Sequence, residues 1–364
     1  MTNLRTVTLP DVLEDETLLA RGGALFVERT EPGGAAAAIA SLANTLGGWL
    51  LVDGELDAAA ALATIDPPPP AVSASLRSGG TVVRVASSED TPHLTADGRV
   101  PVRDHEGMGQ ANAATLRALV ARGDAGREAA RERQRGTALV EEAMRTPERL
   151  PGDAPILDPD SFGHEAPLEF IVRATPVTVT AELSAAALGE TGARVAAAQA
   201  IPLLVDPDAV AHRVATDVEG RVRGVYCTAE RGGAPIFADL AIDADGVIAA
   251  RLAERRHRDG TVTSAGLIDE VLLPLLRAVS GSLDGLGATG RALVDLEIRG
   301  LADLVIEWLP EVSDVVRLEE LIDEERLVLD GELELPAGPP SLQGLAERWA
   351  RGLARSAGLP AWEA

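Results

Sequence analysis

Lysine is absent from the chain: all 33 basic residues are arginine. A phosphate-binding loop of the G-x-x-x-x-G-K-[ST] kind is therefore excluded, as are a lysine Schiff base and a lysine general base. One cysteine, Cys227, cannot close an intramolecular disulfide, and within the strand-like run Arg221-Val-Arg-Gly-Val-Tyr-Cys-Thr228 it reads as a small core residue. Aromatic residues make up only 2% of the chain, too few for the stacking platforms that single-strand nucleic-acid binders use. The five histidines, His93, His105, His164, His212 and His257, stand at no metal-ligand spacing with one another or with the cysteine, and no G-x-S-x-G elbow accompanies them. Zinc and serine-hydrolase chemistry are thus not expected, and no cofactor is expected either. His93, following Pro92 in a loop, reads as a surface residue. No run of about 18 apolar residues occurs and the N-terminus lacks a basic-then-apolar leader, so a cytosolic chain with no membrane partner is expected.

What is present is a globular composition of 46% hydrophobic and 25% charged residues over 364 residues, long enough for two cores. The formal charge is −24, and it is uneven: 13 arginines face 18 acids up to Arg135, whereas 20 face 39 beyond it. Such a field repels phosphate backbones at long range, but screening over about 8 Å lets a tight arginine patch act locally.

The patterning predicts an α/β domain followed by an α+β domain with a mostly antiparallel sheet. Residues 16–30 predict a short helix and a strand (Ala24–Glu28), then an alanine-rich helix from Ala35 to Leu46 stopped by Gly47-Gly48, and the strand Trp49–Val52. Thr81–Ala86 and Arg99–Arg103 flank an Asp97-Gly98 turn, with Pro101 marking an edge strand. Helical spacing runs from Asn112, is interrupted at Gly123, and resumes from Ala125 to Met144. The expected organisation is a first domain over 1–136, a helix end and linker over 137–160, an α+β domain over 161–336, and an amphipathic tail over 337–364. In the second domain, strands are expected at Leu168–Ala174, Val222–Thr228, Ile236–Ile242, Val247–Leu252 and Ala292–Ile298, with a helix at Ala265–Ser280.

The run Ala40-Ser-Leu-Ala-Asn-Thr-Leu-Gly-Gly-Trp-Leu-Leu-Val52 resembles the signature of the Schlafen-type AlbA-like domain, a helix ending in Ala-Asn-Thr-x-Gly-Gly and entering a hydrophobic strand. The strand near Val82–Val85, Thr91-Pro-His93, Val100-Pro-Val-Arg103 and the arginine-rich closing helix are similar to the family's later elements, so the resemblance covers about residues 16–135. It implies a nucleic-acid-binding module. Family members that cut RNA hold metal with acids of a Glu-x-x-x-x-Glu-Phe-Lys segment; the corresponding stretch here is Arg21-Gly-Gly-Ala-Leu-Phe-Val-Glu-Arg-Thr30, in which those acids and the lysine are missing.

The resulting expectation is a non-enzymatic, regulatory protein that contacts DNA or RNA phosphates. The candidates are Asn44 and Thr45 at the helix end, Gly47 and Gly48 with open backbone N–H groups, Arg99 and Arg103 at period two on a strand, and Arg127, Arg131 and Arg135 as a helical stripe. Glu128 and Glu132 dilute that stripe toward a salt-bridged, solvated helix. The alternative is an oligomeric interaction or scaffold protein that has lost nucleic-acid contact, with Leu345, Trp349 and Leu353 of the tail as its partner-binding side. A third reading is a degenerate metal-dependent nuclease built on Glu28, Asp53 and a further carboxylate.

Overall fold

The computed structural model describes residues 8–20, 27–104, 107–135, 168–180, 183, 186–187, 211–216, 222–231, 234–243, 246–254, 261–300, 305–309, 314–317 and 326–356. The expected linker at 137–160 and the motif stretch 21–26 lie outside these residues, as does the side chain of Cys227. The chain forms two compact units. The first comprises Met1–Glu132, Pro176–Glu182 and Ala288–Ala292; the second comprises Arg133–Thr175, Leu183–Gly287 and Leu293–Ala364. The fold class is α/β plus α+β.

In the first unit, β1 (Val27–Thr30), β2 (Gly48–Val52), β4 (Ala71–Ser75) and β5 (Thr81–Val85) form a sheet in the order β1-β2-β5-β4. β1 and β2 run parallel, the other pairs antiparallel. Alternation along the strands divides the side chains between two faces. Leu50, Val52, Val83 and Val85 pack under α3 (Ala35–Asn44) with Ala35, Ala38, Ile39 and Leu42. Trp49 and Val82 turn the other way, onto Val12 of α1 (Leu9–Glu14) and Leu19 of α2 (Thr17–Ala20). Thr8 opens α1 with a reciprocal capping box to Asp11. The alanines of α3 remove side-chain bulk, so this helix lies low on the sheet.

The short helix α4 (Ala58–Leu62) is capped by Asp57 and leads to β3 (Ile65–Asp66), which pairs with β6 (Leu94–Thr95). The Asp97-Gly98 turn is present, with Gly98 at φ +75 and Thr95 N–H donating to the Arg99 carbonyl. It does not join the two strands expected to flank it. β5 is the inner strand between β2 and β4, whereas β7 (Pro101–Asp104) forms a separate two-stranded ribbon with β8 (Gly107–Gln110). Thr81–Val85 is buried at four of its five residues, on both faces, and belongs in a sheet interior, which a ribbon cannot provide.

α5 (Ala113–Arg135) starts at Asn112, whose Oδ1 accepts from the N–H groups of Ala114 and Thr115. The expected break at Gly123 does not occur. Glycine is needed there because the neighbouring backbone passes too close for a side chain: a Cβ at Gly123 would overlap the Thr91 carbonyl, and one at Gly126 the Glu89 carbonyl.

The second unit holds a seven-stranded sheet in the order β10-β11-β12-β13-β9-β15-β18. Its strands are β9 (Leu168–Pro176), β10 (Ala211–Thr216), β11 (Val222–Arg231), β12 (Ala234–Asp243), β13 (Ile248–Glu254), β15 (Gly290–Arg299) and β18 (Arg326–Leu335). The pairs from β10 through β13 to β9 are antiparallel. A small sheet of β14 (Thr261–Thr263), β16 (Val305–Leu309) and β17 (Asp314–Arg317) accompanies it. Next comes α6 (Ser264–Leu267), a π-helical stretch (Ile268–Leu272) and α7 (Leu273–Gly285). Pro274 lacks an amide donor at the start of α7, and the wider π register lies immediately before it.

Along β18, Leu327, Leu333 and Leu335 are buried while Arg326, Val328, Asp330, Glu332 and Glu334 face out. The buried side meets α8 (Pro339–Ser356), the expected amphipathic tail. Its Leu345, Trp349 and Leu353 are fully buried, with Trp349 Nε1 donating to the Asp330 carbonyl at 3.1 Å. The expectation that they offer a partner-binding side is corrected: their partner is the protein's own strand. Gly331 makes the fit possible, since a Cβ there would run into Leu345.

Candidate functional site

The motif that carries the resemblance ends α3, and the structure gathers polar groups around that end. A helix terminus leaves carbonyls without intrahelical donors. Here Arg122, from α5, fills that role: its guanidinium donates to the Ala43 and Thr45 carbonyls at 3.2 Å and to the Asn44 carbonyl at 3.0 Å, and reaches Thr91 Oγ1. A cation at a helix C-terminus also meets the negative end of the dipole. Burial lowers the Arg122 guanidinium from its ordinary value, with Glu89 opposing. No motif signals this residue in sequence, because the helix that supplies it lies nearly eighty positions downstream.

Asn44 is buried and spends its amide on the loops around it. Its Nδ2 donates to the His93 carbonyl at 3.0 Å and to the Pro101 carbonyl at 2.9 Å, and its Oδ1 accepts the His93 N–H at 2.8 Å. Thr45 Oγ1 turns back to the Ser41 carbonyl at 2.6 Å. Gly47, at φ +70, uses its N–H on the Leu42 carbonyl at 2.8 Å, and a Cβ there would stand 2.6 Å from the Ser87 nitrogen. Gly48 is buried beside it at the start of β2. The Asn-Thr-x-Gly-Gly signature therefore works as a close-packed helix stop, with Asn44 tying the end of α3 to the His93 loop and to the start of β7.

His93 corrects the expectation of a surface loop histidine. It is 0% exposed, and its Nδ1 contacts the Pro67 carbonyl at 2.6 Å. Because a carbonyl only accepts, Nδ1 carries the proton and Nε2 holds a lone pair, buried without a hydrogen-bond partner. Desolvation pushes the imidazole down to about 4, with Arg122 and Arg291 adding to the shift and the Pro67 carbonyl and Asp66 opposing it. The ring is neutral at pH 7.

Nearby, Asp90 has a side chain 3% exposed between two arginines, Arg127 at 2.7 Å and Arg291 at 3.2 Å. Ser88 and Glu89 bond to Thr178, so the loop 88–93 is held from both later segments of the first unit. Asp90, Thr178 and Arg291 were not legible as site residues, since the contacts that define them span up to about 200 positions of chain.

The arginine candidates do not form a patch. Arg99 precedes β7 rather than lying on it; it is exposed and paired with Asp97 at 3.1 Å. Arg103 is buried against Glu28, and burial lowers its guanidinium. The shared strand face expected for Arg99 and Arg103 is thus absent, because the turn continues to Val100. Arg127 pairs with Asp90 and with Asp124, and Arg131 is half-exposed beside Glu128 at 3.4 Å. Arg135 is exposed at the end of α5.

Glu28, the first acid of the nuclease reading, is taken up by Arg103, and Asp53 is exposed at the end of β2. Among the described residues, no group of three or more His, Cys, Asp or Glu side chains could hold a metal ion. No described helix is long and apolar enough to cross a membrane.

No family model matches the chain, and no curated protein matches it. Among solved structures, it is similar to the DIP2311 protein from Corynebacterium diphtheriae at 19% identity and a TM-score of 0.22. That similarity covers 27% of this chain and 29% of the other. At that level it carries no argument about fold or function.

Proposed function

We propose that this chain is a non-enzymatic protein-interaction module whose first unit is a divergent AlbA-like domain that no longer engages nucleic acid. The observation that carries this reading is the internal use of the arginines. Arg103, Arg122, Arg127 and Arg291 are each committed to a carboxylate or to a helix end within the first unit. Phosphate binding draws on cations that exchange counterions for the ligand, and a guanidinium already neutralised in the fold adds little. The glycines that would offer backbone N–H groups to an anion are buried. The same unit exposes Leu46, Val72, Met108, Leu116 and Val120, with Leu116 and Val120 one turn apart on α5.

The test uses the full chain with labelled duplex DNA and RNA across a salt series, alongside an Arg99→Ala/Arg131→Ala/Arg135→Ala variant. No salt-dependent binding, even at low ionic strength, is expected from either protein. Binding that weakens with salt and is lost in the variant would overturn the reading and restore nucleic-acid contact. Sedimentation of wild type against Leu116→Asp/Val120→Asp asks whether α5 supports self-association.

A further inference from the structure

The seven-stranded sheet of the second unit carries charge where a sheet is ordinarily apolar. Arg173 on β9, Arg251 on β13, and Asp295 and Glu297 on β15 are all less than a tenth exposed. They belong to one chain of alternating signs. Arg251 pairs with Glu169 at 3.0 Å, Arg299 reaches Glu169 and Glu297, and Arg326 meets Glu297 at 2.9 Å. Arg173 bridges Glu297 and Asp295, the latter at 3.0 Å.

The cations are shared unequally. Glu297 receives three guanidinium groups, from Arg173, Arg299 and Arg326, although it is completely buried. Asp295, two residues earlier on the same side of β15, receives only Arg173 among the described residues. It also faces two like charges, Glu297 on its own strand and Asp330 from β18. A buried carboxylate with one shared cation and two anionic neighbours is the member of the chain that gains most from taking a proton. Glu297, with three cations, is the member that gains least, and it is held below the ordinary carboxylate value by Arg299 and Arg173 despite burial.

We propose that Asp295 is a proton-binding site built into the sheet, occupied in mild acid and emptied toward neutrality, so that the β9, β15 and β18 region is firmer on the acid side. The proton passes between a carboxylate oxygen and solvent. Emptying the site leaves Arg173 divided between two buried anions with Asp330 beside them. Desolvation, the largest influence, puts the titration at about 6, with Arg173 opposing and Glu297 and Asp330 reinforcing.

The experiment follows the side-chain carboxyl ¹³C resonance of Asp295 in the full chain labelled at aspartate, assigned by its disappearance in Asp295→Asn. The resonance is expected to titrate near pH 6, about two units above an ordinary aspartate. In Asp330→Asn, an exposed change that should leave the fold intact, the midpoint is expected to fall by roughly half a unit, as removal of one like charge requires. A midpoint in the ordinary aspartate range, or one that Asp330→Asn leaves in place, overturns the proposal. If Asp295→Asn fails to fold, assignment through backbone-linked spectra leaves both arms intact.

Discussion

His93 offers the sharpest quantitative test of the first unit. In the unfolded chain its pKa is about 6.5, whereas burial brings it to about 4 in the fold. The unfolded state thus binds the extra proton over an interval in which the folded state does not. Its contribution to stability is complete above pH 6.5, declines as pH falls toward 4, and flattens below. The difference between 6.5 and about 4, at about 1.4 kcal/mol per pH unit, comes to about 3–4 kcal/mol, roughly three-hundredfold in protection against amide exchange. Asp295 works in the opposite direction: its contribution is complete below about pH 3.8 and is lost as pH rises through about 6. A denaturation curve of the whole chain would mix the two, so the assay must resolve regions. Hydrogen exchange followed by mass spectrometry, corrected for intrinsic rates, should show peptides from residues 64–104 losing protection between pH 6.5 and 4. In His93→Asn, whose Nδ2 can still donate to the Pro67 carbonyl, that slope should vanish while protection at pH 7 falls only by the cost of the lost ring volume. An unchanged slope in His93→Asn would refute the assignment of the titration to this residue.

Two further outcomes follow from packing. Gly123→Ala should lower stability by about 2–3 kcal/mol through overlap with the Thr91 carbonyl, whereas Gly344→Ala in α8, with open space around it, should raise it by about 0.5–1 kcal/mol; thermal unfolding midpoints compare the two. Trp349→Ala should cost the second unit about 3–5 kcal/mol by calorimetry or denaturant titration, and a loss below about 0.5 kcal/mol would mean that α8 does not seal β18 as described.

The periodic elements were legible in sequence because their apolar spacing is local. The five strands expected in the second unit, the alanine-rich α3 and the amphipathic α8 lie within a few residues of their expected limits, whereas β10, β14, β16, β17 and β18 were not expected, being short or lacking a continuous apolar run. Misreadings arose where a residue serves a distant neighbour. Gly123 reads as a helix breaker along the chain, yet in space it clears a path for the Thr91 backbone. His93 reads as a polar loop residue, yet Asn44 and Pro67 hold it inside. Arg103 reads as half of an exposed pair, yet its charge answers Glu28, more than seventy residues earlier. Pattern reveals which face a residue lies on; it does not reveal which opposite charge will arrive there. One signal was available: an asparagine inside an otherwise apolar helix end needs its amide satisfied, which points to a buried tie.

Asp90 has a partner in Arg127 on α5 and another in Arg291, and the second arrives 164 residues after the first in the chain. At a synthesis rate of about 5–20 residues per second, roughly 10–30 s separate the two arginines as they leave the ribosome. Through that interval the nascent first unit has its sheet, α3 and α5 but not the cation that completes Asp90. Two of the three segments of the second unit, Arg133–Thr175 and Leu183–Gly287, must be translated before the first can close, so the unit begun first stays open while most of the other is being made.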